Sequence, residues 1–132
     1  MIAAEQTQPT SDASTSPLVE VRGLNRVFDS VHAVQDLSFA IRRGAVVGFI
    51  GANGAGKTTT MRIMATLDEP TSGQVVVDGL DVVEEPSKVR RLVGWMPDAF
   101  GTYPNMTVFE YLDFFARSYG FSRTQRRERV EE

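Results

Sequence analysis

The chain has 132 residues, of which 42% are hydrophobic and 23% charged, and its formal net charge is −3. This composition is typical of one small globular domain, and two full domains do not fit in such a length. The acidic balance argues against a general nucleic-acid binder, and the absence of cysteine excludes disulfides and thiolate zinc sites. The longest apolar run, residues 45–52, is far short of the roughly 20 residues that span a bilayer.

The first segment, residues 1–17, is rich in Ser, Thr, Gln and Pro, and we expect a disordered leader because it has few large apolar residues. Alternation of apolar and polar residues then predicts strands over 18–24 and 37–41. A turn at 42–44 follows. The continuous apolar run at 45–50 predicts a strand that is buried on both faces, as in a parallel sheet.

The second half of the chain alternates helices and short strands. Helical spacing of apolar residues begins at Lys57 and ends near Pro70. Two more strands are predicted at 75–79, which ends in an Asp-Gly turn, and at 92–96, which Pro97 ends. A helix begins at Thr107 with capping-box spacing to Glu110, and its apolar stripe contains Val108, Leu112, Phe115 and Tyr119. The charged tail predicts a further helix.

Residues 51–58, GANGAGKT, match the pattern GxxxxGK[ST] between a predicted strand and a predicted helix. In this pattern the glycines let the backbone N–H groups converge on phosphate oxygens, and the helix N-terminus adds positive potential. Lys57 would reach the β- and γ-phosphates, and the Thr58 hydroxyl would ligate Mg²⁺. A Gly-rich turn with an exposed lysine is the alternative. The candidate nucleotide-binding residues are Gly51, Ala52, Asn53, Gly54, Ala55, Gly56, Lys57, Thr58 and Thr59.

The phosphate-loop motif has neighbours in a characteristic order: RGLNRVFDSVHAVQDLSF before it, and PTSGQVVVDGLDV and VRRLVGWMPD after it. With these segments, the chain from about residue 18 onward resembles the first half of an ATP-binding cassette (ABC) transporter ATPase, most closely the branch of multidrug or ABC-2-type exporters. The resemblance implies an α/β P-loop NTPase fold. Residues 18–132 would then be an incomplete, truncated domain, with an antiparallel β subdomain and the start of the parallel core sheet and of the helical subdomain.

The resemblance also implies roles for two residues outside the loop. Phe28 matches the family's aromatic that stacks on adenine, although alone it would serve equally well as a core or loop aromatic. Pro97-Asp98 stands where the family has Pro-Gln, whose glutamine touches Mg²⁺ or the attacking water. Asp98 keeps an oxygen ligand for Mg²⁺ but loses the amide donors, so a metal ligand and a surface turn both stay open.

In the segment LDEPTSG, residues 67–73, an apolar residue precedes Asp68 and Glu69, as in the metal-binding and water-activating acid pair of many ATPases. Such a pair needs a buried strand directly before it. Asp68 and Glu69 instead follow the predicted helix that leaves the phosphate loop. That helix would carry them about 15 Å from the γ-phosphate. We therefore predict an exposed helix-end turn. Asp78 is explained by a hairpin turn with Gly79, and His32 by an exposed surface position.

The expected function is that of an ATP-binding subunit of an ABC-type exporter, with ATP and Mg²⁺ as cofactors. The resemblance implies a transmembrane permease partner, a second ATP-binding cassette in a dimer, and a cytoplasmic location on the inner face of the membrane. Nucleic acid is not an expected partner. The family's signature, Walker B acid pair and switch histidine are not found, so ATP hydrolysis by these 132 residues alone is not expected. The alternative is a non-catalytic truncated fragment that binds nucleotide weakly or not at all.

Overall fold

The computed structural model describes residues 3–7, 16–99, 101 and 103–131. The chain divides into two compact units, Met1–Trp95 and Met96–Glu132. The first unit contains β1 (Ala3–Thr7), β2 (Val19–Phe28), β3 (Val31–Ile41), β4 (Val46–Ile50), α1 (Lys57–Met64), β5 (Ser72–Val77), β6 (Leu80–Asp81) and α2 (Pro86–Val89). The second contains α3 (Val108–Ser118) and α4 (Arg123–Glu131).

A four-stranded antiparallel sheet in the order β3-β2-β5-β6 forms most of the first unit. Strands β2 and β3 contain the two alternating segments, and β5 contains the valine run before the Asp-Gly turn, so the predictions of strands at 18–24, 37–41 and 75–79 are confirmed. The predicted Asp-Gly turn joins β5 to β6, and both Asp78 (φ 50°) and Gly79 (φ 79°) have positive φ. Positive φ at both central residues matches the right-handed twist of the two strands.

The core of the first unit lies between this sheet and the helices α1 and α2. Complete burial of a valine, leucine or isoleucine side chain contributes about 1.5–3 kcal/mol, so the cluster of buried residues in this core accounts for much of the stability of the unit. Its buried members are Val21, Leu24, Val34, Ile63, Val75, Val77, Val82 and Val89.

Strand β4 leads into the phosphate-loop motif and pairs antiparallel with β1, with Ala3 opposite Ile50 and Thr7 opposite Val46. This pairing corrects the prediction of a disordered leader for Ala3–Thr7; residues 1, 2 and 8–15 of that leader lie outside the described residues. The prediction of burial on both faces is also wrong, because Val46 is 79% and Ile50 58% exposed. In the described part of the chain no strand other than β1 pairs with β4. Unpaired backbone groups at a strand edge favour pairing with any available segment, and β1 supplies one.

The predicted strand at 92–96 is not present. The backbone N–H groups of Leu92 and Val93 both donate to the carbonyl of Val89, at 2.9 and 3.2 Å, which extends the turn at the end of α2. These donors are therefore committed to a local turn, and no described strand lies alongside to pair with the rest of the segment.

The second unit consists of two helices and the segment before them. Thr107 and Glu110 form the predicted capping box, in which the Thr107 hydroxyl accepts from the Glu110 N–H and the Glu110 carboxylate accepts from the Thr107 N–H. Arg126 Nε donates to Asp113 Oδ1 at 2.7 Å and ties α4 to α3. Across the described residues, no helix is both long enough and apolar enough to span a bilayer.

Candidate nucleotide-binding site

The phosphate loop (residues 51–59) begins where β4 ends and continues into α1, as the motif predicts. Gly54 has φ 82° and Gly56 has φ 85°, both in the left-handed region. A β-carbon is unfavourable there, which gives a direct structural reason for glycine at Gly56, a fixed position of the pattern, and at Gly54, a position that the pattern leaves open.

Gly56 is also required by its surroundings. A β-carbon built on Gly56 would lie 2.2 Å from the backbone oxygen of Ala33 and 2.9 Å from a methyl group of Val34. Strand β3 therefore packs directly against the end of the phosphate loop. At Gly54, by contrast, an added β-carbon would meet nothing within 4 Å.

The Lys57 ammonium folds back over the loop. Its Nζ donates to the carbonyl oxygens of Gly51 and Ala52, each at 2.7 Å. These bonds hold the cation at the mouth of the loop, on a flexible stem that lets it turn toward phosphate oxygens.

The N-terminus of α1 has unused donors. Gly56 is the N-cap residue, and among the described residues no side chain caps this end of the helix. The first-turn N–H groups of Lys57, Thr58 and Thr59 have no partner within a helix that starts here, and they fit an anion such as a triphosphate. Thr60, in contrast, is buried and bonds inward to the Gly56 carbonyl through both its N–H (2.8 Å) and its hydroxyl (2.9 Å).

The chemistry of the loop also fits Mg²⁺ that arrives with a nucleotide. The Thr58 side chain lies on an exposed part of the first helical turn. Mg²⁺ characteristically takes one or two protein ligands together with phosphate oxygens and water. The described residues contain no group of three His, Cys, Asp or Glu side chains that could hold a metal ion on its own.

A cleft of about 440 Å³ lies beside the loop, between it and β3. His32 was predicted to be a surface histidine; it is exposed but lies on the wall of this cleft. Local sequence patterns do not reveal this placement, because it depends on the long-range packing of β3 against Gly56. The lining residues are His32, Ala33, Val34, Gln35, Leu37, Gly54 and Ala55.

Phe28 is the last residue of β2, at the tip of the β2–β3 hairpin, where it pairs with Val31. Its side chain is 41% exposed, so it is available for contact with a ligand. The same hairpin contributes the β3 wall of the cleft. Asp98 belongs to the second unit, where it lies in an exposed bend, and its role as a metal ligand stays a prediction.

The acidic residues after α1 occupy a turn, as predicted, but one of them is not exposed. Asp68 Oδ1 forms an ion pair with the Arg26 guanidinium at 2.7 Å, and the Asp68 side chain is only 16% exposed. The prediction of an exposed turn is therefore correct for Glu69 and wrong for Asp68, whose long-range partner on β2 has no local sequence signal.

Comparison with known proteins identifies the family. The family model described as ABC transporter matches residues 34–132. The ABC transporter ATP-binding protein NatA of Bacillus subtilis is 44% identical over 103 residues, which cover 77% of this chain and 42% of NatA. The probable multidrug ABC transporter ATP-binding protein YbhF of Escherichia coli is 38% identical over 86% of this chain and 20% of its own length.

A solved structure has the same fold. The ATP-binding cassette MJ0796, in a dimeric post-hydrolysis state bound to ADP and Pi, superimposes with a TM-score of 0.66 at 25% identity, over 85% of this chain and 53% of that chain. The chain belongs to the ABC transporter family, and its fold is that of part of a P-loop ATP-binding cassette. It spans less than half the length of the curated relatives that it matches.

Proposed function

We propose that this chain is part of the ATP-binding subunit of an ABC-type exporter and that the phosphate loop binds the triphosphate of ATP together with Mg²⁺. The observation that carries the proposal is the uncapped N-terminus of α1 directly after a loop with left-handed Gly54 and Gly56. That arrangement aims several N–H groups and the positive end of a helix at one point.

Each candidate residue has a separate role in the proposal. Lys57 leaves the carbonyls of Gly51 and Ala52 and pairs with the phosphates, and Thr58 ligates Mg²⁺. Phe28 stacks on the adenine, and Asp98 supplies a further oxygen ligand to Mg²⁺. Mg²⁺ would neutralise the charge that develops on the phosphates during hydrolysis.

Membership of the family supports a proposal for the cellular setting. In the whole protein, we propose that two cassettes form a dimer and that binding and hydrolysis of ATP drive a transmembrane permease. The subunit would then lie in the cytoplasm against the inner face of the membrane. Support for export comes from YbhF, whose name describes a multidrug transporter.

Equilibrium titration with ATP in the presence of Mg²⁺ tests the proposal. Lys57→Gln removes the ammonium at the loop, and Lys88→Gln is the matched control, because Lys88 is an exposed lysine in α2 that pairs with nearby Glu85. We expect Lys57→Gln to weaken ATP binding at least tenfold, because a hydrogen bond to a charged group contributes about 1.5–3 kcal/mol. Lys88→Gln should leave ATP binding unchanged. Equal affinities in the two variants would overturn the proposal.

A second candidate is a non-catalytic fragment that binds nucleotide weakly or not at all. The exposed apolar side chains of Val46 and Ile50 on β4 favour it, because β4 leads directly into the phosphate loop. An exposed apolar strand promotes association of chains. Light scattering and limited proteolysis of the purified 132-residue chain, each with and without MgATP, separate the two candidates. Association of chains that MgATP does not reduce favours the fragment. A monomeric chain that MgATP protects from proteolysis excludes the fragment.

A further inference from the structure

The helix-end turn (residues 67–73) connects the phosphate-loop helix α1 to β5, and it is attached to β2 along the way. Thr71 donates its N–H to the Asn25 carbonyl at 2.8 Å, and its hydroxyl accepts from the Val27 N–H at 3.0 Å. Between these two residues of β2 lies Arg26, the ion-pair partner of Asp68. The turn is thus fixed to the strand that ends in Phe28.

Arg26 has a second contact, with Phe28. Its guanidinium carbon lies 4.2 Å from the centroid of the Phe28 ring, which is the geometry of a cation–π interaction. Phe28 is still 41% exposed, so Arg26 and the other neighbours leave part of this residue accessible.

The Arg26 side chain is held in an otherwise unfavourable place. It is 23% exposed, and its Nε is buried without a hydrogen-bond acceptor among the described residues. A buried donor without a partner is unfavourable, so the contacts with Asp68 and Phe28 must offset that cost. The Asp68 carboxylate is itself fixed, because Oδ1 also accepts from the Glu69 N–H at 2.9 Å.

We infer that Asp68 and Arg26 are positioning residues for nucleotide binding. Asp68 orients the Arg26 guanidinium, which supports one face of the Phe28 ring and leaves the remaining surface for the base. This inference rests on the proposed function, in which Phe28 stacks on adenine. The helix-end turn would then couple the helix that binds phosphates to the aromatic that binds the base.

The test separates base contact from phosphate contact. Affinities for ATP and for inorganic tripolyphosphate are measured with Mg²⁺ on the full 132-residue chain, because tripolyphosphate engages the phosphate loop but has no base. Phe28→Ala should lower ATP affinity by roughly 5- to 150-fold, the range expected for loss of base stacking, and leave tripolyphosphate affinity within about twofold.

Asp68→Asn keeps the shape of the side chain and removes its charge, and Glu69→Gln is the matched control on the adjacent exposed acid. We expect Asp68→Asn to lower ATP affinity about three- to tenfold, with tripolyphosphate affinity unchanged, and Glu69→Gln to change neither. Circular dichroism checks the fold of each variant. If Asp68→Asn does not fold, Arg26→Lys takes its place, since lysine keeps the ion pair but loses the planar contact with the ring.

Three results would overturn the inference. Parallel losses of ATP and tripolyphosphate affinity in Asp68→Asn would indicate a purely structural ion pair. A gain in ATP affinity would mean that Arg26 covers the face that the base needs, and no change would mean that Phe28 does not depend on Arg26. Failure of the proposed function has a different signature: the unaltered chain would bind neither ligand, or Phe28→Ala would leave the ratio of the two affinities unchanged.

Discussion

The two units of the chain differ in how they bury their apolar side chains. The first unit has a buried core on the antiparallel sheet, and Leu24 and Ile63 are fully inaccessible to solvent. The second unit has no buried residue in α3, and Val108 and Tyr119 on its predicted apolar stripe are 77% and 80% exposed. The stability of the first unit therefore comes from packing, whereas that of the second depends on local helix signals such as the capping box.

Leucine truncation in each unit tests this comparison with the largest expected effect. Leu24→Ala should lower the free energy of unfolding by about 2–5 kcal/mol, because it leaves a cavity in a closed core. Leu112→Ala, at a side chain that is 44% exposed, should cost less than about 1 kcal/mol. Urea unfolding followed by far-UV circular dichroism measures both. Comparable costs would mean that the apolar side of α3 is covered in solution.

A glycine pair repeats the contrast between packed and open positions inside the phosphate loop. Gly56→Ala places a β-carbon against the Ala33 carbonyl and also puts a non-glycine residue in a left-handed backbone conformation. It should lower the free energy of unfolding by about 3 kcal/mol or more and abolish nucleotide binding. Gly54→Ala has the same backbone strain but open space, so it should cost about 1–2 kcal/mol. Thermal unfolding and ATP titration of both variants check this, and equal effects would show that β3 does not pack against the loop.

The capping box predicts a smaller, pH-dependent effect in the second unit. The N–H and the hydroxyl of Thr107 donate to the Glu110 carboxylate, and these bonds hold the pKa of Glu110 below its ordinary value of 4.5. A lowered pKa in the folded state stabilises α3 above pH 4.5, and this contribution is lost as the pH falls through the folded-state pKa.

Helix content followed by circular dichroism between pH 6 and about pH 2 measures that loss. Glu110→Gln keeps a residue that suits a capping box but does not titrate, so its helix content should vary less with pH. The control is Glu128→Gln in α4, which makes the same substitution outside the capping box. An identical pH profile in Glu110→Gln would contradict the role of the capping box.

Local signals in the sequence predict most of the elements but not their long-range partners. Alternation predicted β2 and the end of β3, the Asp-Gly turn predicted the hairpin after β5, and the spacing from Thr107 to Glu110 predicted the start of α3, because each depends on neighbouring residues. The strand expected at 92–96 is missing because a strand needs a partner for its backbone, and the described residues provide none there. The exposure of β4 and its pairing with β1 could not be predicted either, because they depend on segments that are distant in the sequence.

The candidate site divides in the same way. The phosphate loop could be located from the motif alone, since its glycines and lysine act within nine consecutive positions of backbone. The approach of β3 to Gly56, the position of His32 beside the loop and the ion pair between Arg26 and Asp68 required the tertiary structure. Each joins residues that are more than twenty positions apart.

Hydrogen exchange of the 132-residue chain with and without MgATP tests the central claim most directly, because it reports on backbone N–H groups individually. We expect MgATP to slow exchange in the phosphate loop and the first turn of α1, whose N–H groups would bind phosphate, and to leave exchange in α4 unchanged. Unaltered exchange in residues 53–59 at saturating MgATP would contradict the claim that this loop holds the nucleotide.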